Sequence, residues 1–124
     1  MTQKQAVEAY FALEQLTKEK WDLKDAFGLW QMKKKLTEAY EFQCEREKAL
    51  LDLYGATPGE GGRWTFASAE DRDAFQAEED KLNAMDFPAA VRPLTVRPPQ
   101  GMRIEPDTLG ALEGVIVFDL EGVK

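Results

Sequence analysis

The residues best equipped for chemistry are arginines. Between residues 88 and 104, Arg92, Arg97 and Arg103 occur with no acidic residue among them, and a guanidinium grips phosphate or carboxylate with two parallel hydrogen bonds. Arg63 and Trp64 stand on a stretch expected to pair with this segment. Arg63, Trp64, Arg92, Arg97 and Arg103 therefore form a candidate anion-binding site, with the indole as a stacking surface for a nucleotide. The competing reading is neutralisation, because residues 67–86 hold seven acidic residues against Arg72 and Lys81. Lys33, Lys34 and Lys35 form a weaker signal. Three successive helical positions span about 200°, so their ammonium groups diverge, and Glu38 and Glu41 are placed to offset two of them.

Other chemistry is excluded by what is missing. The chain has no histidine and a single cysteine, Cys44. That removes the commonest general base, the usual zinc ligands and any disulfide within the chain. Cys44 has no histidine to activate it and reads as structural. Glu45 with Asp52, or Glu78 with Glu79, are carboxylate pairs of the kind expected on helical faces at this composition, with no apolar pocket to raise one pKa. The glycines of residues 55–62 lack the spacing of a phosphate-cradling loop. The reading is a protein that is not an enzyme, with no catalytic, metal or cofactor site. A net charge of −7 argues against nucleic acid as a partner. The longest apolar run, Val115 to Phe118, is too short for a membrane span, and residues 1–20 lack the apolar core of a signal peptide. A cytoplasmic protein with no membrane partner is expected.

The elements that must position these residues follow from periodicity. Ala6, Val7, Tyr10, Phe11, Leu13 and Leu16 predict a helix from Thr2 to Lys20, ended at Trp21. Asp22 is placed to cap a second helix, with Asp25 in its first turn. That helix runs from Leu23 to Tyr54 and stops at Gly55. Its apolar stripe is assigned to Phe27, Trp30, Leu36, Tyr40, Leu50 and Tyr54, broadened by Leu29, Met32, Ala39, Gln43 and Cys44. Gly28 inside it predicts a close approach by Trp21 or helix 1. Residues 55–62 read as a mobile loop. Arg63 to Phe66 reads as a strand with Trp64 and Phe66 on one face, paired with Leu94 to Arg97 as a two-stranded sheet. Ser68 and Asp71 open a third helix to Met85, with Phe75 and Leu82 inward. Pro106 starts a short helix through Glu113, and Gly114 releases an apolar tail that packs. The fold class is mainly α with a small β element: a helical hairpin over 1–54, a loop over 55–62 and a small α+β part over 63–124, in a single domain.

The length of the second helix carries the functional expectation. At about 1.5 Å per residue it extends roughly 48 Å, whereas a compact chain of this size is about 35 Å across. It must overhang its domain or meet a partner. A homo-oligomer is expected, with Trp30, Leu36, Tyr40, Leu50 and Tyr54 as its interface, since aromatic anchors concentrate binding energy.

The order of parts resembles a family of small uncharacterised bacteriophage and prophage proteins, a domain of unknown function. Leu13 to Leu23 (LEQLTKEKWDL) looks like its lysine-rich helix break, Glu45 to Gly55 (EREKALLDLYG) like its charged helix end, and Leu109 to Ile116 (LGALEGVI) like its acidic terminal helix. The chain departs at Trp21-Asp22, where the family often has Leu-Pro, and in the glycine-rich loop. The resemblance implies a phage setting and no catalytic residue. The expected function is a phage-derived binding or assembly protein that self-associates through its long helix and engages a phage or host protein. Sequestration of an anionic host signal nucleotide, an anti-defence role, is the alternative, and a minor head or tail component of the virion is the second.

Overall fold

The computed structural model describes residues 1–87 and 91–121. Its elements are α1 (Gln3–Leu16), α2 (Leu23–Leu53), β1 (Thr57–Pro58), β2 (Trp64–Thr65), α3 (Ala69–Ala84), β3 (Leu94–Val96), α4 (Pro106–Ala111) and β4 (Ile116–Phe118). The fold is mainly α with a small β element, as expected. No helix among the described residues is long and apolar enough to cross a membrane. Pro88, part of the acid-free arginine segment, lies outside the described residues.

Helix α1 forms because small and apolar residues recur along one side. Ala6, Ala9, Ala12, Leu13 and Leu16 are buried against Leu29, Met32, Leu36 and Ala39 of α2. Alanines on the seam allow the helix axes to approach closely. Its start is a capping box: Thr2 Oγ1 accepts from Gln5 N–H, and Gln5 Oε1 accepts from Thr2 N–H. It ends at Leu16, a turn earlier than expected. The Trp21 indole N–H donates to the Leu16 carbonyl at 2.7 Å, and the Lys18 and Glu19 N–H groups donate to the Gln15 and Leu16 carbonyls in four-residue turns. Both satisfy carbonyls that a further helical turn would have used.

Helix α2 matches its expected bounds, with Tyr54 as C-cap and Gly55 at φ +64°. Asp22 occupies the N-cap position, but its side chain makes no capping hydrogen bond. The expected overhang is largely covered. Helix α1 and β3 line the first part of α2, and α3 runs antiparallel along the last part. Gln43 Nε2 donates to Asn83 Oδ1 at 3.1 Å, and Leu50 and Leu82 are both buried.

Two sheet expectations are overturned. Leu94–Val96 pairs with Ile116–Phe118, in parallel, rather than with Arg63 to Phe66. The cause is burial: Leu94, Val96, Ile116 and Phe118 alternate onto one face, and the crossover containing α4 brings them together. Residues 64–65 instead fold back antiparallel on Thr57–Pro58. The intervening turn uses Gly61 at φ +69° and Gly62 at φ +76°, so part of the expected loop is a small hairpin. Trp64 is exposed while Phe66 is half-buried against Phe75, ring centroids 5.3 Å apart, so the two do not share a buried face. The neighbour of Gly28 is neither Trp21 nor helix 1. A methyl placed there would lie 3.0 Å from Leu94 Cδ1, because β3 crosses α2 at that point.

Helix α3 starts where expected, with Ser68 Oγ accepting from Asp71 N–H. Pro106 opens α4, which ends at Ala111, and the tail packs, with Val115 and Ile116 buried. The start of α1 is tied to the residues just after α3. Gln3 N–H donates to the Met85 carbonyl at 2.7 Å and Phe87 N–H to the Met1 carbonyl at 2.9 Å.

Candidate interaction surface

Along α2 each residue advances about 100°. Leu29, Met32, Leu36, Ala39, Gln43 and Leu50 therefore share one side, and all are buried. Leu23, Phe27, Trp30 and Lys34 fall on the opposite side, roughly 170° away. Phe27 and Trp30 are each 56% exposed, their ring centroids 6.0 Å apart. Lys34 Nζ lies 5.5 Å from the Trp30 ring, within cation–π range. Beside them a groove is lined by Thr17, Glu19, Trp21, Ala26, Trp30 and Lys33. An aromatic ledge thus points away from the core on the first third of the long helix.

Two expectations are corrected here. Phe27 and Trp30 belong to the solvent face and not to the packed stripe. Lys34 is engaged with Trp30, and the helical pairs with Glu38 and Glu41 are not among the ion pairs of the described residues.

Of the interface expected from periodicity, only Trp30 is exposed. Leu36 is fully buried in the core and Leu50 is buried beside α3. Tyr54 is half-buried at the helix end. Tyr40 is half-buried and stacks on Tyr10, with centroids 4.7 Å apart and planes 13° from parallel. Helical side chains lean toward their own N-terminus, and in an antiparallel pair that lean brings these two rings together. Hydrogen bonding to Glu14, then partial burial, then the charge of Glu14 raise the Tyr10 hydroxyl pKa above the usual tyrosine value. The thiol of Cys44 does the same for Tyr40. Cys44 itself is exposed, since its position falls beside the buried stripe and not within it.

The five anion-site residues are not brought together. Arg63 and Trp64 sit on the β1–β2 hairpin that follows the C-terminal end of α2. Arg97 is at the other end, where its backbone N–H donates to Asp25 Oδ2 at 3.1 Å. Its guanidinium pairs with Asp119 at 3.4 Å, so the neutralising partner is β4's end and not the acidic α3. Arg103 lines a groove with Lys18, but Glu19 and Glu105 line the same groove. Arg92 is exposed. A helix of 31 residues, about 46 Å long, separates the two ends, so one anion cannot reach both.

Sequence reasoning missed Gln3, which is buried and donates through Nε2 to the Ala39 carbonyl at 2.7 Å. It also missed the exposed Leu53. The ledge was detectable in principle, from the angular positions alone. No protein-family model, curated protein or solved structure matches the chain.

Proposed function

We propose that this protein is a non-enzymatic binding and assembly protein that self-associates through α2, with the Phe27–Trp30 ledge as its contact surface. The observation that supports it most is the placement of two large aromatic side chains on the face of α2 opposite its buried residues, Leu29, Met32, Leu36, Ala39, Gln43 and Leu50. Energetic hot spots of protein contacts are enriched in tryptophan, and contiguous exposed apolar patches mark interaction sites. The interface differs in composition from the one expected by periodicity, since Leu36, Tyr40, Leu50 and Tyr54 are employed within the chain. The resemblance of Leu13 to Leu23, Glu45 to Gly55 and Leu109 to Ile116 to phage proteins supports a bacteriophage setting for this role.

Light scattering at micromolar concentration tests the reading. A mass above that of one chain, lost in a Phe27→Ser, Trp30→Ser double variant that retains its helical circular dichroism, is the expected result. A strict monomer removes the self-association.

A further inference from the structure

The ledge lies in a basic stretch and the opposite end of the molecule is acidic. Residues 20–36 carry five basic and two acidic residues, whereas residues 45–73, which cover the end of α2, the hairpin and the start of α3, carry four and seven. Lys24, Lys33, Lys34 and Lys35 are on α2 around the ledge. At the start of α3, Glu70 and Asp73 are exposed, Asp73 with the Arg72 guanidinium 3.6 Å away. Because Asn83 meets Gln43 and α3 runs back along α2, the N-terminal turn of α3 lies near the C-terminal end of α2. Two exposed apolar side chains belong to the same end: Leu53, 72% exposed, and Trp64, 49% exposed.

Resting on the self-association just proposed, we infer that the occupant of the ledge is the distal end of a second copy of this chain, docked head to tail. Leu53 and Trp64 of one molecule meet Phe27 and Trp30 of the next, and the acidic start of α3 meets the lysines beside the ledge. Apposing two ledges instead would bring Lys24, Lys33, Lys34 and Lys35 of both copies together, with like charges opposed. A chain cannot satisfy its own ledge, because the two surfaces stand at opposite ends of a helix about 46 Å long. The contact is therefore between molecules and between unlike surfaces. Such a contact leaves one free face at each end of every assembly, so it grows by addition until it closes into a ring or continues as a filament.

The test uses the full chain in three forms. One variant, Phe27→Ser with Trp30→Ser, lacks the ledge; another, Leu53→Ser with Trp64→Ser, lacks the distal surface. All four positions are exposed, and circular dichroism confirms that each variant is folded. In sedimentation velocity the wild-type chain is expected to grow in mass with concentration and to shrink with added salt. Each variant alone associates about tenfold or more weakly. Their equimolar mixture forms a complex of two chains and nothing larger, because each contributes the face the other lacks. A wild-type chain that stays monomeric overturns the self-association and this inference with it. A wild-type chain that associates, while the mixture stays monomeric or the Leu53/Trp64 variant associates normally, overturns only the head-to-tail arrangement. As a second route independent of apolar substitutions, Lys33→Glu with Lys34→Glu is expected to weaken association, and mixing it with Glu70→Lys, Asp73→Lys to restore it. Failure to restore in a chain that does associate counts against the charge pairing and overturns the arrangement.

Discussion

The two ends of α2 are held by different means. Around its first half, α1, β3, β4 and the residues after α4 enclose a contiguous cluster of thirteen buried residues from Ala6 to Ile116. Around its second half, the described residues outside that cluster supply only Leu50 and Leu82 as buried apolar side chains, with Gln43 beside them. Phe66 and Phe75 add a half-buried aromatic contact. One helix therefore spans a packed body and a thin arm. Helix length is a local property of hydrogen bonding and propensity, while tertiary support is a matter of how many apolar groups leave water. A 31-residue helix can carry both regimes without a break.

The comparison is broken most directly by deleting one leucine from each region. Leu36→Ala removes a fully buried side chain from the body and is expected to cost about 2–5 kcal/mol. Leu82→Ala, at a position with few buried neighbours, is expected to cost about 2 kcal/mol or less, since the site collapses more easily. Urea unfolding of both variants decides it. Equal losses would mean that the arm is packed as firmly as the body. Native-state hydrogen exchange sharpens the point, with amides of α3 opening at a lower free energy than those of α1.

Helix starts come next in size. Ser68→Ala takes away the side chain that accepts from Asp71 N–H and is expected to destabilise by about 1 kcal/mol. Thr2→Ala removes a comparable cap on α1, also about 1 kcal/mol by the same reasoning. The difference lies in where the loss is felt. Exchange is expected to rise in α3 alone for Ser68→Ala, and only through global unfolding for Thr2→Ala. Local opening of α1 in the second variant would erase the distinction.

A smaller effect tests the crossing of β3 over α2. Removing a mid-helix glycine is worth about 1 kcal/mol where space is free. At Gly28 the added methyl would press on Leu94 Cδ1 at 3.0 Å and Cδ2 at 3.1 Å. Gly28→Ala is therefore expected to change stability by about 0.5 kcal/mol or less in the wild-type background, and to recover the gain of about 1 kcal/mol when Leu94→Ala is also present. A full gain without the second substitution would show that no close approach exists.

What was legible in the chain follows the same division between local and long-range physics. Helix starts and glycine stops were readable because their signals are local: Ser68 before α3, Pro106 opening α4, Gly55 and Gly114 in the left-handed region; the ends of α1 and α4, which no glycine or proline directly follows, fall earlier than expected. Strand partners were not. Leu94–Val96 chose Ile116–Phe118 because that pairing buries both, and nothing in either short run names its partner. The ledge was half legible. Trp30 stands out as an interface anchor, but assigning it to one stripe with Leu36 conflicts with the 100° advance, which places it and Phe27 opposite Leu36. Gln3 carried no warning, as a glutamine in a first turn is ordinarily solvated; its burial follows from the carbonyl of Ala39 lying within reach.

The smallest effect expected is electrostatic and belongs to the arm. Partial burial of Glu79, with the charges of Glu47 and Asp80 adding to it, raises its carboxyl pKa above the usual glutamate range. The unfolded chain lacks that burial. Between the unfolded value and the raised folded value, the folded state binds more protons than the unfolded one, so stability falls as pH rises through that window. The stabilising contribution is complete below the unfolded pKa and absent above the folded one. Glu79→Gln removes the charge whose burial is unfavourable, so it is expected to raise stability slightly at neutral pH and to leave it nearly unchanged in acid below the window. Urea unfolding at both pH values checks this. A loss of stability at neutral pH would mean that Glu79 makes a favourable contact across α2 and α3, and that the arm is held by more than its two leucines.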